Sequence, residues 1–300
     1  MSEMILSSIE GNRQLLDGGA MFGNAPKPMW ERWLKPDHLN RIELACRGLL
    51  IQINNKNILL EVGIGAFFEP KLADRYGVTP NDKHLLLESL DKHNLKHSDI
   101  DYVILSHLHF DHAGGLLPSF EEDPNRGKLL FPNAQYIVGK EAWERAINPH
   151  GRDRASFIPE MIELLQHSNR LIKVDPKKDD RSLPEIIKNN FSFRESNGHT
   201  PGQLHTIVHS QDSDIIFCGD LIPGQTWAHI PITMGYDRYP ELLIDEKTDL
   251  YNSIDLERTI FYYTHDNEYV ASKIRKNEKG KYEAYDLIKE FNQQVFIPHK

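Results

Sequence analysis

Two apolar runs, GLLIQI at 48–53 and NILLEVGI at 57–64, flank a polar Asn54-Asn55-Lys56. That pattern predicts two strands joined by a tight turn. In DKHLLLESLDKHN the leucines recur at helical spacing, which predicts a helix over 82–94 with Asp82 as its N-cap. IDYVIL at 100–105 is a short apolar run rich in β-branched residues, so it reads as a buried strand ending at Ser106. AQYIVG at 134–139 is a further strand, and KEAWERAI at 140–147 and FIPEMIELLQHS at 157–168 read as helices. Short strands are then expected at RLIKVD, FSFRES, LHTIVHS and DIIFCG, followed by a helix over 240–254 and a strand at TIFYYTH. The last part, 268–287, reads as a hairpin turning at Glu278-Lys279-Gly280. Strands and helices mix in both halves, as in an α/β sandwich with helices packed outside sheets. No Pro/Gly/Ser-rich linker divides the chain, so one domain over 1–300 is expected.

Composition narrows the class. With 39% hydrophobic and 26% charged residues over 300 positions, the chain reads as globular with a large core. No run approaches the ~20 apolar residues of a membrane span, so no membrane association is expected. The start, MSEMILSSIEGNRQ, lacks the basic and apolar regions of a signal peptide. Two distant cysteines, Cys46 and Cys218, do not make a disulfide framework and point to a reducing cytoplasm. The net charge of -9 and the lack of a basic stripe argue against a nucleic-acid partner.

The chemistry concentrates in SHLHFDHAGG, residues 106–115. His107, His109, Asp111 and His112 fall within six positions directly after a buried strand. Side chains at i and i+2 of extended backbone point the same way, so His107 and His109 can converge on one metal. Asp111 and His112 follow as the chain turns and can face a second. Gly114 and Gly115 let the backbone pass tightly beneath. Zinc hydrolases use three protein ligands and an open position per metal. Four ligands are too few for two such centres, so more must come from elsewhere. His199 in SNGHTPGQ, Asp220 in IIFCGDLIP and His265 in FYYTHDNE each lie where the chain leaves a predicted strand.

The set H-x-H-x-D-H, then a histidine, an aspartate after a strand and a last histidine, resembles the metallo-β-lactamase superfamily. The resemblance implies a four-layer αβ/βα sandwich with a dinuclear site at one edge. His107, His109 and His199 would hold one metal, Asp111, His112 and His265 the other, and Asp220 would bridge them, with a hydroxide between the metals as nucleophile. Asp111 and Asp220 are accordingly catalytic candidates. Zinc suits these ligands, and iron, cobalt and manganese also bind such sets. The family's Asp-Thr-Gly after the second strand is Glu61-Val62-Gly63 here. Its acid braces a metal ligand, and the longer Glu leaves that role open.

Within the superfamily, His109 stands where the di-iron oxygen reductases carry Glu, which favours a hydrolase. Asp220 argues against class B β-lactamases, a hairpin after His265 against glyoxalase II, and the missing basic exosite against transfer-RNA processing. LDGGAMFGNAPKPMWERW, GDLIP and ITMGYDRYPE are similar to stretches of N-acyl-homoserine lactonases and methyl parathion hydrolase-like proteins. That similarity implies an apolar acyl pocket lined by Met21 and Phe22, with a buried strand entry as the other reading of AMFG. Trp227, His229 and Tyr236 would shape the same pocket, although core packing also suits Trp227. Some lactonases carry a tyrosine shortly after the bridging aspartate; Leu221-Ile222-Pro223 stands there instead, and Tyr236 is the candidate substitute. The expected partner is a small lactone or ester, with an N-acyl-homoserine lactone first, an organophosphate or aryl ester second, and a homodimer as the assembly. A metal-binding sensor without turnover is the reading from another class, and the complete set of seven ligands weighs against it.

Overall fold

A computed structural model describes residues 3–178 and 182–299. Its strands, in chain order, are β1 (Met4–Ile9), β2 (Gln14–Asp17), β3 (Arg41–Leu44), β4 (Gly48–Ile53), β5 (Lys56–Leu60), β6 (Tyr102–Leu105), β7 (Gln135–Gly139), β8 (Leu171–Val174), β9 (Phe191–Ser196), β10 (Gln203–Val208), β11 (Asp214–Phe217), β12 (Thr259–Tyr262), β13 (Ala271–Lys276), β14 (Tyr282–Ile288) and β15 (Gln294–Phe296). Seven form one sheet in the order β15-β1-β4-β5-β6-β7-β8, and six form a second in the order β14-β13-β12-β11-β10-β9. β2 and β3 pair separately.

The alternation that predicted the strands decides which layer each side chain enters. Leu49, Ile51, Ile58, Leu60, Ile104 and Ile137 face the second sheet and meet Leu204, Val208, Ile215, Phe217 and Tyr262. Their neighbours Leu50, Leu59, Val103, Leu105 and Val138 face outward and pack on the helices around residues 85–91, 140–147 and 159–167. On the far side, Ile216, Cys218, Phe261 and Tyr263 meet Leu243, Leu250 and Tyr251 of the helix Pro240–Ser253. Period-two side chains thus serve two cores per sheet, and the result is the αβ/βα sandwich.

Several local expectations change. The helix expected from Asp82 begins at Leu85. Its first amide is capped by a distant residue, because Leu85 N donates to Asn12 Oδ1 at 3.0 Å. The strand expected over 57–64 ends at Leu60, since Glu61 turns the backbone to φ 59°. AMFG is not a strand entry: Gly18–Phe22 is a short helix capped by Asp17, which accepts from Ala20 N at 2.8 Å. β1 and β15 carried no recognised signal; they pair Met4 with Phe296 across almost the whole chain. Both cysteines are free and buried. Among the described residues, no helix is long and apolar enough to cross a membrane.

Candidate metal centre

Parallel pairing brings the chemistry to one edge. β5 and β6 are parallel, so Glu61 and Ser106-His107 emerge at the same end of the first sheet. In the second sheet β11 and β12 are parallel with Phe217 beside Tyr262, and Asp220 and His265 follow that pair at equal distance along the chain. His199 lies in the connection from β9 to β10. Ser106 O accepts from Leu204 N at 2.8 Å and ties the two sheet edges together beneath the site. Gly114 and Gly115 make the close approach expected of them: a Cβ on either would collide with the carbonyl of Ile64 or Val62.

Three groups of donor atoms converge there, each mutually within 4.8 Å: His107, His109 and His199; Asp111, His112 and His265; and Glu61, His107 and His112. The first two are the sets expected from the sequence. Asp220 lies between them, with Oδ2 3.2 Å from His199 Nε2 and Oδ1 3.3 Å from His112 Nε2 and 3.2 Å from His265 Nε2.

The outer faces of the imidazoles explain why the inner faces point as they do. His112 Nδ1 donates to Glu61 Oε2 at 2.9 Å, His199 Nδ1 to Asp237 Oδ1 at 2.9 Å, and His265 Nδ1 to Ala45 O at 2.7 Å. His107 Nδ1 lies 2.9 Å from Ser106 Oγ, whose hydroxyl donates to Glu61 Oε1. A proton held on Nδ1 leaves a lone pair on Nε2, so these rings aim lone pairs at the centre. His109 is turned the other way, with Nδ1 3.0 Å from His107 Nε2 and 3.3 Å from His199 Nε2.

The donor set therefore fits cations. Asp220 Oδ1 is buried with no hydrogen bond, although two imidazole nitrogens lie beside it. A buried carboxylate ringed by imidazole nitrogens calls for positive charge between them, supplied by a metal ion or, without one, by protons on the rings. Burial opposes protonation of His112, but Glu61, Asp220 and Asp111 outweigh it and raise its pKa well above the ordinary value. His265 and His199 are raised in the same way against burial, with Asp220 the main favourable charge. Burial, with the neighbouring imidazoles, pushes His107 well down and His109 to about 3. Burial also opposes ionisation of Asp220, yet His112, His199 and His265 hold its carboxyl well below the usual range.

Above the cluster opens a cavity of about 430 Å³. His109, Asp111, His199, Asp220 and His265 reach it, with Leu16, Met21, Leu44, Phe110 and Met234 as apolar wall and Tyr76, Arg152, Asp153, Ser156 and Tyr236 as polar wall. Met21 and Tyr236 both line this cavity. Phe22, Trp227 and His229 do not line this cavity. Phe22 is stacked between Trp30 and Trp227, with centroids 5.5 and 4.6 Å away, and the Trp227 indole donates to Met21 O at 3.0 Å. These rings are core beneath the pocket wall. His229, at the end of the turn Gln225–Ala228, lies on the side covered by β14.

Sequence reasoning missed Gln14, Ser106 and Asp237. Gln14 is fully buried at the start of β2, and its Nε2 donates to Asp111 Oδ2 at 2.8 Å. Nothing in QLLD marks that contact. Asp237 sits inside MGYDRYPE, and an acid in a short connection before a helix was the available signal.

Residues 43–265 match the Metallo-beta-lactamase superfamily. An N-acyl homoserine lactonase of Bacillus thuringiensis is 24% identical over 250 residues, covering 78% of this chain and 86% of that protein. A crystal structure of a probable metal-dependent hydrolase from Staphylococcus aureus aligns with a TM-score of 0.80 at 26% identity, over 99% of this chain and 97% of that one. AidC, a dizinc quorum-quenching lactonase, aligns with a TM-score of 0.71 at 21% identity, over 94% of each chain. With the sandwich, the converging histidines and the family match over most of its length, this chain belongs to the metallo-beta-lactamase superfamily and carries His, Asp and Glu groups suited to divalent metals.

Proposed function

We propose that this protein is a dinuclear metal-dependent hydrolase that opens the ring of N-acyl-homoserine lactones. The observation that carries the reading is the cavity itself: an apolar wall of Leu16, Met21, Leu44, Phe110 and Met234 over a floor of His109, Asp111, His199, Asp220 and His265. An acyl tail fits the wall while the lactone carbonyl meets the floor. In this reading His107, His109 and His199 would hold one ion and Asp111, His112 and His265 the other, with Asp220 placed between the two sets. Two divalent ions, zinc before iron, cobalt or manganese, supply Lewis acidity and activation of water when bound.

The chain's own groups do the rest. Glu61, Ser106, Asp237 and Ala45 O hold the imidazoles in register. Asp111, kept ionised by His112 and His265 against the cost of burial, receives the proton from the attacking water. As the ring C–O bond breaks, that proton returns to the leaving oxygen, giving the open N-acyl-homoserine. Tyr236 reaches the cavity from its mouth, and its hydroxyl donates to the carbonyl or leaving oxygen.

Hydrolysis rates for acyl-homoserine lactones, phosphotriesters and aryl esters, measured side by side on metal-loaded protein, test this reading. The lactones should be turned over with the highest kcat/KM. Phosphotriesters or aryl esters reacting far faster than every lactone would replace the assignment with the corresponding esterase.

A further inference from the structure

We infer that Asp237 is a positioning residue that fixes His199 for a metal and the lip of the substrate cavity with the same carboxylate. The inference rests on the reading of the site as a metal centre. The two oxygens do separate work: Oδ1 accepts from His199 Nδ1 at 2.9 Å, and Oδ2 accepts from Met234 N at 2.7 Å. The side chain is buried, with Asp237 2% exposed. The lip it holds, residues 234–237, contributes Met234, Gly235 and Tyr236 to the cavity.

Other bonds show that this lip is a junction. Gly235 N donates to Ala20 O at 2.7 Å, beside Met21, and Gly235 O accepts from Arg152 Nη2 at 2.8 Å. The cavity's N-terminal wall and its 152–156 wall are thus joined through one residue. Just beyond, Arg238 N donates to His199 O at 3.1 Å and Tyr239 N to Gly198 O at 2.8 Å, so the lip runs alongside the His199 backbone. Asp237 is the point where the wall that meets substrate and a ring that faces the metal share an anchor.

The chemistry of the carboxylate gives a discriminating test. Both its bonds are to N–H donors, so both oxygens must accept. In Asp237→Asn only one acceptor remains, and the amide NH₂ must face one of the two donors. Met234 N is main chain and cannot change. The imidazole can: its proton moves from Nδ1 to Nε2, which removes the lone pair aimed at the centre. Asp237→Asn should therefore keep the lip and damage the metal side.

The experiment is chelator competition on zinc-loaded protein, together with ¹⁵N NMR of the assigned His199 ring in metal-free protein at a pH high enough to leave that ring neutral. In the wild type, His199 should carry its proton on Nδ1. In Asp237→Asn the proton should move to Nε2, one of the two ions should bind roughly 10–100-fold more weakly, and KM should stay near wild type. Arg152→Met, which releases the lip from the other side, should raise KM and leave zinc affinity unchanged. Wild-type zinc affinity for both ions in Asp237→Asn, or a wild-type His199 protonated on Nε2, overturns the inference. If Asp237→Asn does not fold, the wild-type tautomer still decides. A wild type that binds no zinc rejects the metal reading instead, and the tautomer measurement continues to test Asp237 without it.

Discussion

His112 Nδ1 donates to Glu61 Oε2 at 2.9 Å, and both side chains are fully buried. The same carboxylate takes the Ser106 hydroxyl on Oε1, and through it reaches the His107 ring. Glu61 therefore braces one histidine from each of the two sets, and Thr264 Oγ1 adds a third bond at 3.3 Å. Its longer side chain is matched by a backbone at φ 59°, where the strand has already ended.

Shortening that side chain should separate the two braces. Glu61→Asp removes one methylene, so the carboxylate can reach Ser106 or His112 but not both. Metal affinity should fall roughly tenfold or more while the fold is kept, as read by chelator competition and circular dichroism. Wild-type metal affinity in Glu61→Asp would show that one brace is enough.

Asp220 and His229 give a contrast in metal count. Asp220 lies between both donor sets, whereas His229 lies away from the cavity. Elemental analysis of well-loaded protein should give two metals per chain. Asp220→Ala should lose most metal and activity, and His229→Ala should resemble the wild type. A ceiling of one metal in the wild type would count against the dinuclear reading.

The parts of the fold legible in the sequence are those whose partners are close along the chain. β4 to β7 show alternation or short apolar runs bounded by turns, and Pro159 and Pro240 open two of the helices that the apolar spacing predicts. The donor residues stood out because four are clustered and three follow strands. What was hidden depends on distant partners. Gln14 acts on a residue 97 positions away, and Asp237 on one 38 away. Phe22 stayed open between pocket and core for a related reason: an aromatic beside a pocket and one stacked beneath its wall have the same local sequence, and only Trp30 and Trp227 decide between them.

Lys247 should make stability depend on pH in the alkaline range. It is 0% exposed on the helix Pro240–Ser253, and its ammonium donates to Trp227 O at 3.1 Å and Ile232 O at 2.6 Å. Burial lowers its pKa to about 7, with Asp237 opposing. An unfolded lysine titrates near 10.4, so between about pH 7 and 10 the unfolded chain binds more protons, and stability contributed by this group rises with pH. The full effect is on the order of 5 kcal/mol at most. Denaturant unfolding of wild type and Lys247→Met at pH 7 and 9.5 should show the wild type gaining on the variant at the higher pH. Parallel pH profiles would mean that Lys247 keeps its proton throughout.

Tyr236 should act on turnover more than on binding. It is 44% exposed at the cavity mouth, and partial burial, together with Asp111 and Asp17, raises its phenol pKa. The hydroxyl is therefore a donor across the neutral range. Tyr236→Phe should lower kcat with little change in KM if that donor acts in the transition state. Equal kcat in the variant would remove the role from this residue and leave the metal chemistry untouched.

Chain length should distinguish the pocket wall from the core beneath it. Met21 lines the cavity, whereas Phe22 is fully buried between two indoles. Along a series of acyl-homoserine lactones, each methylene that reaches the apolar wall offers at most ~0.8 kcal/mol, or about fourfold in kcat/KM. The gain should stop when the wall is covered. Met21→Ala should flatten that dependence and also lower Tm, because Met21 is itself buried beside the stack. Phe22→Ala should lower Tm alone: it leaves a cavity in the aromatic stack and costs about 3–5 kcal/mol of stability, with the chain-length profile kept in the molecules that fold. A flat wild-type profile would mean that the tail lies elsewhere, and the apolar wall would then need a different occupant.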